Sequence, residues 1–231
     1  MIIGIDYTAS NKGAGKKTFQ GRSLHSISDD MKNPYQEVID ILSRTLETLD
    51  EDKLIPVYGF GDKKTTDKSV FPFYNDERPC HGVQEALQRY NEITPGIELA
   101  GPTSFAPIIN KAIEIVEREK SYHILVIVAD GQITNDSEYT KATTQTTNAI
   151  VKASKYPISI IVVGVGDGPW EQMEEYDDQL PQRKFDNFQF VDFAKEAVGA
   201  PQFREANFAL AALQELPEQY HYIKELGYLS Q

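Results

Sequence analysis

An α/β fold with a mostly parallel central sheet is predicted by three observations. Short runs rich in Ile and Val recur along the chain, and three of them are nearly continuous in apolar residues, as expected for strands buried on both faces. Segments with helical spacing lie between those runs. No internal repeat, low-complexity tract or long flexible linker interrupts the alternation, so crossover connections within one domain account for the whole chain.

The elements follow in order. MIIGI (1–5) is the first strand. NPYQEVIDILSRTLETLD is a helix, with Val38, Ile41, Leu42, Leu46 and Leu49 close to helical spacing and Pro34 in the first turn. LIPVYGF (54–60) is the second strand. Gly61 to Gly82, with its polar, proline and aromatic residues, reads as a long connection with an edge hairpin. GVQEALQRYNEI is a second helix. FAPIINKAIEIVEREK is a third, placing Ile108, Ile109, Ala112, Ile113 and Val116 on one face. YHILVIVA (122–129) and ISIIVVGV (158–165) are strands, and SEYTKATTQTTNAIVKASK between them is a helix. NFQFVDF (187–193) is a weaker strand. FREANFALAALQELPEQYHYIKEL, about 203–226, is a terminal helix or pair broken at Pro217 and packed on the same single domain, 1–231.

Composition narrows the function classes. The chain has 231 residues, 40% hydrophobic and 25% charged, with a net charge of −12. That sign argues against nucleic acid and against direct binding to an anionic membrane surface. Cys80 is the single cysteine, so no intramolecular disulfide forms, which suits a reducing, cytoplasmic compartment. It stands in RPCHG beside His81, and neighbours in sequence seldom have the geometry of a nucleophile and its base. No apolar run approaches the roughly 20 residues of a membrane span. MIIGID is too short for a signal peptide and lacks a basic lead-in. Because the first residue already sits in a strand, the chain reads as an excised domain.

Ligands of open parallel sheets bind beyond the carboxyl ends of the strands. Asp6, Asp62, Asp130 and Asp167 all lie there, although each alone could be a turn or cap residue. Asp6 opens Asp-x-Thr-x-Ser, with Thr8 and Ser10 on alternate residues of an extended loop. All three are hard oxygen donors of the kind Mg²⁺ takes, alongside retained waters. With so few carboxylates, a bound cation would stay short of charge and accept a carboxylate from another molecule. GPTSFAPI supplies Thr103 before a helix, with Thr103 or Ser104 as its cap in the bland reading. VIVADGQITND supplies Asp130 at the end of the central strand.

GIDYTAS, GPTSFAPIIN, VIVADGQIT and PISIIVVGVGDGPW resemble the von Willebrand factor A-type domain of copines. They are closer still to the copine-type domain of plant RING-type ubiquitin ligases. NPYQEVI, DEDKLIPVYGFGD, FDNFQFVDF and ALQELPEQY match too, so the resemblance spans nearly the whole chain. It implies a Rossmann-like domain, its sheet flanked by helices on both faces, with a metal-ion-dependent adhesion site. Thr8 and Ser10 would then be hydroxyl ligands, and Thr103 a direct or water-mediated one. Asp6 and Asp130 would act mainly through water or orient the ligands. The cation expected is Mg²⁺, with Mn²⁺ or Ca²⁺ as substitutes, and an Asp or Glu of a protein partner would complete its shell. Thr8 stands where A domains usually carry serine. The resemblance implies a non-catalytic, monomeric interaction module. Phospholipid binding by C2 domains, and ligase activity by a RING, would belong to a longer parent protein, because one cysteine excludes a zinc-binding RING here. Related A domains couple the metal loops to the C-terminal helix, here ALAALQELPEQYHY.

Three other readings are weaker. A phosphate loop fails on spacing, since Ser10 stands where Gly-x-x-x-x-Gly-Lys needs its first glycine and Lys17 follows Lys16. A magnesium-dependent phosphatase of haloacid dehalogenase type would use Asp6 as nucleophile with Asp167 and Glu171 on the metal. It needs a second acid where Thr8 stands. A scaffold with a degenerate metal site is the third. His25, His81, His123 and His221 show no metal-ligand spacing. Tyr7 is placed to flank a bound carboxylate, and Trp170 is either a partner contact or packing.

Overall fold

The structure, a computed structural model, describes residues 1–131, 137–178, 180 and 182–229, apart from the side chains of 137–140, 178 and 201. Residues 132–136 of the VIVADGQITND stretch lie outside the described residues.

The chain opens with β1 (Ile2–Asp6), followed by a 3-10 turn at Ala9–Lys12 and α1 (Pro34–Arg44). Next come β2 (Leu54–Ile55), β3 (Val57–Phe60), β4 (Val70–Pro72), β5 (Cys80–His81) and α2 (Gly82–Ile93). The second half holds α3 (Ala106–Glu119), β6 (His123–Ala129), α4 (Ser137–Ala153), β7 (Ile158–Gly164) and α5 (Glu171–Asp178). It closes with β8 (Phe188–Asp192), α6 (Phe193–Glu196), α7 (Pro201–Leu213) and α8 (Leu216–Glu225).

Six strands form one sheet in the order β4-β3-β1-β6-β7-β8. All neighbours are parallel except β4, which runs antiparallel to β3 on the edge, in the segment expected to hold a hairpin. Alternate side chains feed two cores. Ile3, Ile5, Val126, Val128, Ile161 and Val163 face the side covered by α1, α2, α7 and α8. Ile2, Leu125, Ile127, Ile160 and Val162 face the side covered by α3, α4 and α5. The result is the three-layer Rossmann-like α/β architecture anticipated from the sequence.

Three sequence expectations need correction. LIPVYGF is not one strand. Pro56, which lacks an N–H, separates β2 from β3, and β2 pairs instead with β5 in a separate ribbon. The first helix stops at Arg44 and continues only as a 3-10 turn, Leu46–Leu49. The terminal segment is a pair of helices, but the break falls at Gln214 and Glu215, and Pro217 sits in the first turn of α8, where a missing N–H costs nothing. In addition, α5 gave no helical signal strong enough to read. The start of α1 follows the sequence closely. Asn33 accepts from the backbone of Gln36 at 2.9 Å while the Gln36 side chain accepts from Asn33 N–H at 2.7 Å, a reciprocal cap. Among the described residues, no helix is long and apolar enough to cross a membrane.

Candidate metal centre

Parallel strands deliver Asp6, Asp62, Asp130 and Asp167 to one rim of the sheet, at or just beyond the ends of β1, β3, β6 and β7. Two of them act within their own loops. The Asp62 carboxylate accepts from Lys64 N at 3.3 Å and Thr65 N at 3.0 Å, with a further short bond from the Thr65 hydroxyl. Asp167 accepts from Lys17 N at 3.0 Å, Thr18 N at 2.9 Å and Thr18 Oγ1 at 2.8 Å. Desolvation opposes ionisation of Asp167, but these bonds outweigh it and hold its pKa below the usual value. A carboxylate so engaged is poorly placed to serve a phosphatase metal.

Asp6 is different. It is fully buried, and Oδ1 accepts from Thr8 N at 2.7 Å. The other oxygen, Oδ2, has no hydrogen-bond partner among the described residues. Burial raises its pKa to about 6, against lowering bonds from Thr8 and from the Asp130 backbone, the last of which links the ends of β1 and β6. The hydroxyls of Thr8 and Ser10 lie 3.0 Å apart. They converge through the 3-10 turn that begins after Thr8, rather than through the extended loop expected from sequence. The loop bearing Thr103 joins them through a parallel bridge between Thr8 and Ala100, in which Ala100 N donates to Tyr7 O at 3.3 Å. Neither Thr103 nor Ser104 is the N-cap of α3: that position is Phe105, with no side-chain capping bond, and Ser104 only closes a local turn by accepting from Ala106 N at 3.3 Å. Thr103 is buried as a residue, and its hydroxyl makes no hydrogen bond among the described residues.

These features fit a hard divalent cation. An unpartnered buried carboxylate oxygen stands beside two converging hydroxyls, and all are oxygen donors. Among the described residues, no cluster of three or more His, Cys, Asp or Glu offers a competing metal site.

A buried polar and aromatic layer supports the loop, and sequence reasoning missed most of it. Asn11 Nδ2 donates to Thr8 O at 3.1 Å, and Asn11 Oδ1 accepts from Tyr35 OH at 2.7 Å. The His25 ring is stacked between Tyr7 and Tyr35, at centroid distances of 4.6 and 4.1 Å. One ring nitrogen lies 2.7 Å from Asp6 O and the other 2.7 Å from Tyr90 OH. Burial drives the His25 pKa down to about 3, so the ring is neutral at physiological pH and bridges a donor and an acceptor. The only sequence hint was the bare presence of a histidine between two tyrosine-bearing segments. Tyr7 does not flank a ligand; its ring belongs to this buried stack, and its hydroxyl lies 2.9 Å from Thr94 Oγ1. Trp170 packs across Gly131 and Gly164 and against Phe190. Cys80 is buried, with its thiol pushed up to about 12 by desolvation and then by Glu85, the opposite of an activated nucleophile.

Gly61, at the end of β3, shapes the site from the side. Its φ is +80°, and a Cβ there would fall 2.3 Å from the Thr8 methyl. Only glycine permits Thr8 to sit where it does.

The family model Copine matches residues 23–231. The chain is 53% identical to "Copine family protein 2" of Caenorhabditis elegans over 232 residues, covering 99% of this chain and 3% of that protein. It is 52% identical to "E3 ubiquitin-protein ligase RGLG1" of Arabidopsis thaliana over 237 residues, 99% of this chain and 48% of the ligase. It thus spans about half or less of the length of these relatives. Among solved structures, the SpRpn10 VWA domain superposes with a TM-score of 0.55 at 12% identity, covering 89% of this chain and 91% of that one. At that identity the likeness speaks for the fold alone.

Proposed function

The chain belongs to the copine family, and from that premise we propose that it is a single-domain, non-catalytic protein-interaction module that recognises an acidic side chain through a divalent cation. Thr8, Ser10 and Thr103 present hydroxyl oxygens to the cation, while Asp6 and Asp130 orient the shell, partly through water. Mg²⁺ is the physiological ion in this reading, with Mn²⁺ or Ca²⁺ able to replace it. When bound, it supplies positive charge that attracts an Asp or Glu of the partner.

One observation carries the reading: the fully buried Asp6 Oδ2, unpartnered among the described residues, beside the Thr8 and Ser10 hydroxyls. Leaving such an oxygen unmatched costs free energy unless a ligand or water takes it up. The chain's part in recognition is pre-organisation. Asn11, Tyr35 and His25 hold the loop from below, so little ordering remains to be done on binding. The domain acts as a monomer in the cytoplasm, and ubiquitin-ligase or membrane activity belongs to other parts of a longer protein.

The test is calorimetry with MgCl₂ on the wild type and on Asp6→Ala/Thr103→Ala. Wild type should bind and the double variant should lose at least about tenfold in affinity; equal affinities would sink the assignment. An affinity pull-down in Mg²⁺ and in EDTA then tests the partner step, and retention of partners in EDTA favours the scaffold reading instead.

A further inference from the structure

The segment just after the hydroxyl pair carries Lys12, Lys16 and Lys17, which metal binding leaves unused. All three side chains are exposed, and none enters an ion pair among the described residues. Among the other lysines, Lys32, Lys63, Lys111 and Lys141 pair with acids and the rest reach none among the described residues, so what sets these three apart is that they share one loop. In a chain with 35 acidic and 23 basic residues, a cluster of unpaired ammonium groups beside the candidate site stands out.

The loop holding them is built rather than loose. Ala14, Phe19 and Leu24 anchor it in the core. Phe19 N and Gly21 N both donate to Gly15 O, at 3.0 and 2.8 Å, and a Cβ on Gly15 would fall 2.3 Å from Arg22 O. From beyond β7, Asp167 grips the loop twice. Its carboxylate takes the Lys17 and Thr18 donors, and its own N–H donates to Ala14 O at 2.8 Å. The lysines are thus held on the same rim as Asp6 and Asp130. A groove of about 410 Å³ beside Lys12, lined also by His25, Ser26, Thr94, Ile97 and Glu98, has room for a partner's chain, and the Glu98 carboxylate in it is already paired with Lys63 at 2.8 Å.

We infer that Lys12, Lys16 and Lys17 form a basic lip that reads further acidic residues flanking the one taken at the metal site, and that Asp167 is the positioning residue of that lip. The inference rests on the reading of this rim as a partner-binding site. It specifies the partner segment as an acidic cluster rather than a lone Asp or Glu. A protein segment is favoured over an anionic bilayer, because a net charge of −12 repels an extended negative surface while a short peptide meets only the local field.

Two synthetic fluorescent peptides test it by anisotropy in Mg²⁺: a Gly-Ser chain with one Glu, and the same chain with that Glu followed by Asp-Glu-Asp. The acidic peptide should bind about tenfold more tightly to wild type, and the advantage should shrink as salt rises. Lys16→Glu/Lys17→Glu should erase the advantage while leaving the single-Glu peptide and the thermal midpoint unchanged. Asp167→Asn should lose part of it, about threefold, with the salt dependence flattened. Equal affinity of the two peptides for wild type, no binding of either, or an advantage that survives charge reversal would each overturn the lip. A lysine-dependent advantage that persists in EDTA keeps the lip and removes the metal reading. Lysine-dependent binding to phosphatidylserine vesicles without peptide discrimination would reassign the surface to membranes and overturn the inference.

Discussion

The loop from Asp6 to Thr18 has two halves that are fixed by opposite means. Asp6 to Asn11 is held from inside the molecule, by the His25–Tyr35–Tyr90 stack and the Asn11 amide. Lys12 to Thr18 is pinned to the core at Ala14 but takes its remaining support from the half-buried Asp167, whose carboxylate accepts from Lys17 and Thr18 at the solvent side. The first half is coupled to the stability of the whole domain. The second can be altered with little cost to it. In the proposed reading, the metal-binding half is thus set over the core and the charged half over solvent.

The difference can be broken from the inside first. His25→Ala removes a stacked ring and both of its hydrogen bonds, and should cost about 3 kcal/mol in urea denaturation, with Mg²⁺ affinity falling too. Gly61→Ala drives a Cβ into the Thr8 methyl at positive φ. It should cost about 2 kcal/mol and weaken Mg²⁺ binding about tenfold by calorimetry, without unfolding the domain. Tyr35→Phe keeps the ring but leaves Asn11 Oδ1 without its donor, so a loss of about 1.5 kcal/mol is expected, measured the same way. From the outside, Asp167→Asn should cost under about 1 kcal/mol, yet speed amide exchange at Lys17 and Thr18. Comparable costs for His25→Ala and Asp167→Asn would erase the contrast.

Legibility in the sequence follows the same division. The sheet was readable because β6 and β7 are buried along their whole length and therefore written almost wholly in apolar residues. Hydrophobic patterns report burial directly. The short strands β2, β4 and β5 carry little such signal, since each is only two or three residues long. The candidate ligands Asp6, Thr8, Ser10, Thr103 and Asp130 were nominated by strand-end position and by family resemblance. Their support was not legible, because His25 reaches Asp6 and Tyr35 reaches Asn11 only through the fold, across 19 and 24 residues of chain. The phosphate-loop look of Gly15, Lys16 and Lys17 was dismissed from the sequence alone, because the composition resembles the motif but its spacing does not.

The edges of the sheet carry a consequence of another kind. On one side β4 is three residues long and ends in Pro72. On the other, Phe188 and Phe190 in β8 give their backbone N–H groups to the side chains of Asp186 and Asp177, at 3.4 and 3.2 Å. A neighbouring copy that tried to extend the sheet would meet proline on one flank and donors already spoken for on the other. The domain is thereby guarded against strand-by-strand polymerisation, and can be concentrated or tethered in many copies without its own backbone becoming the glue.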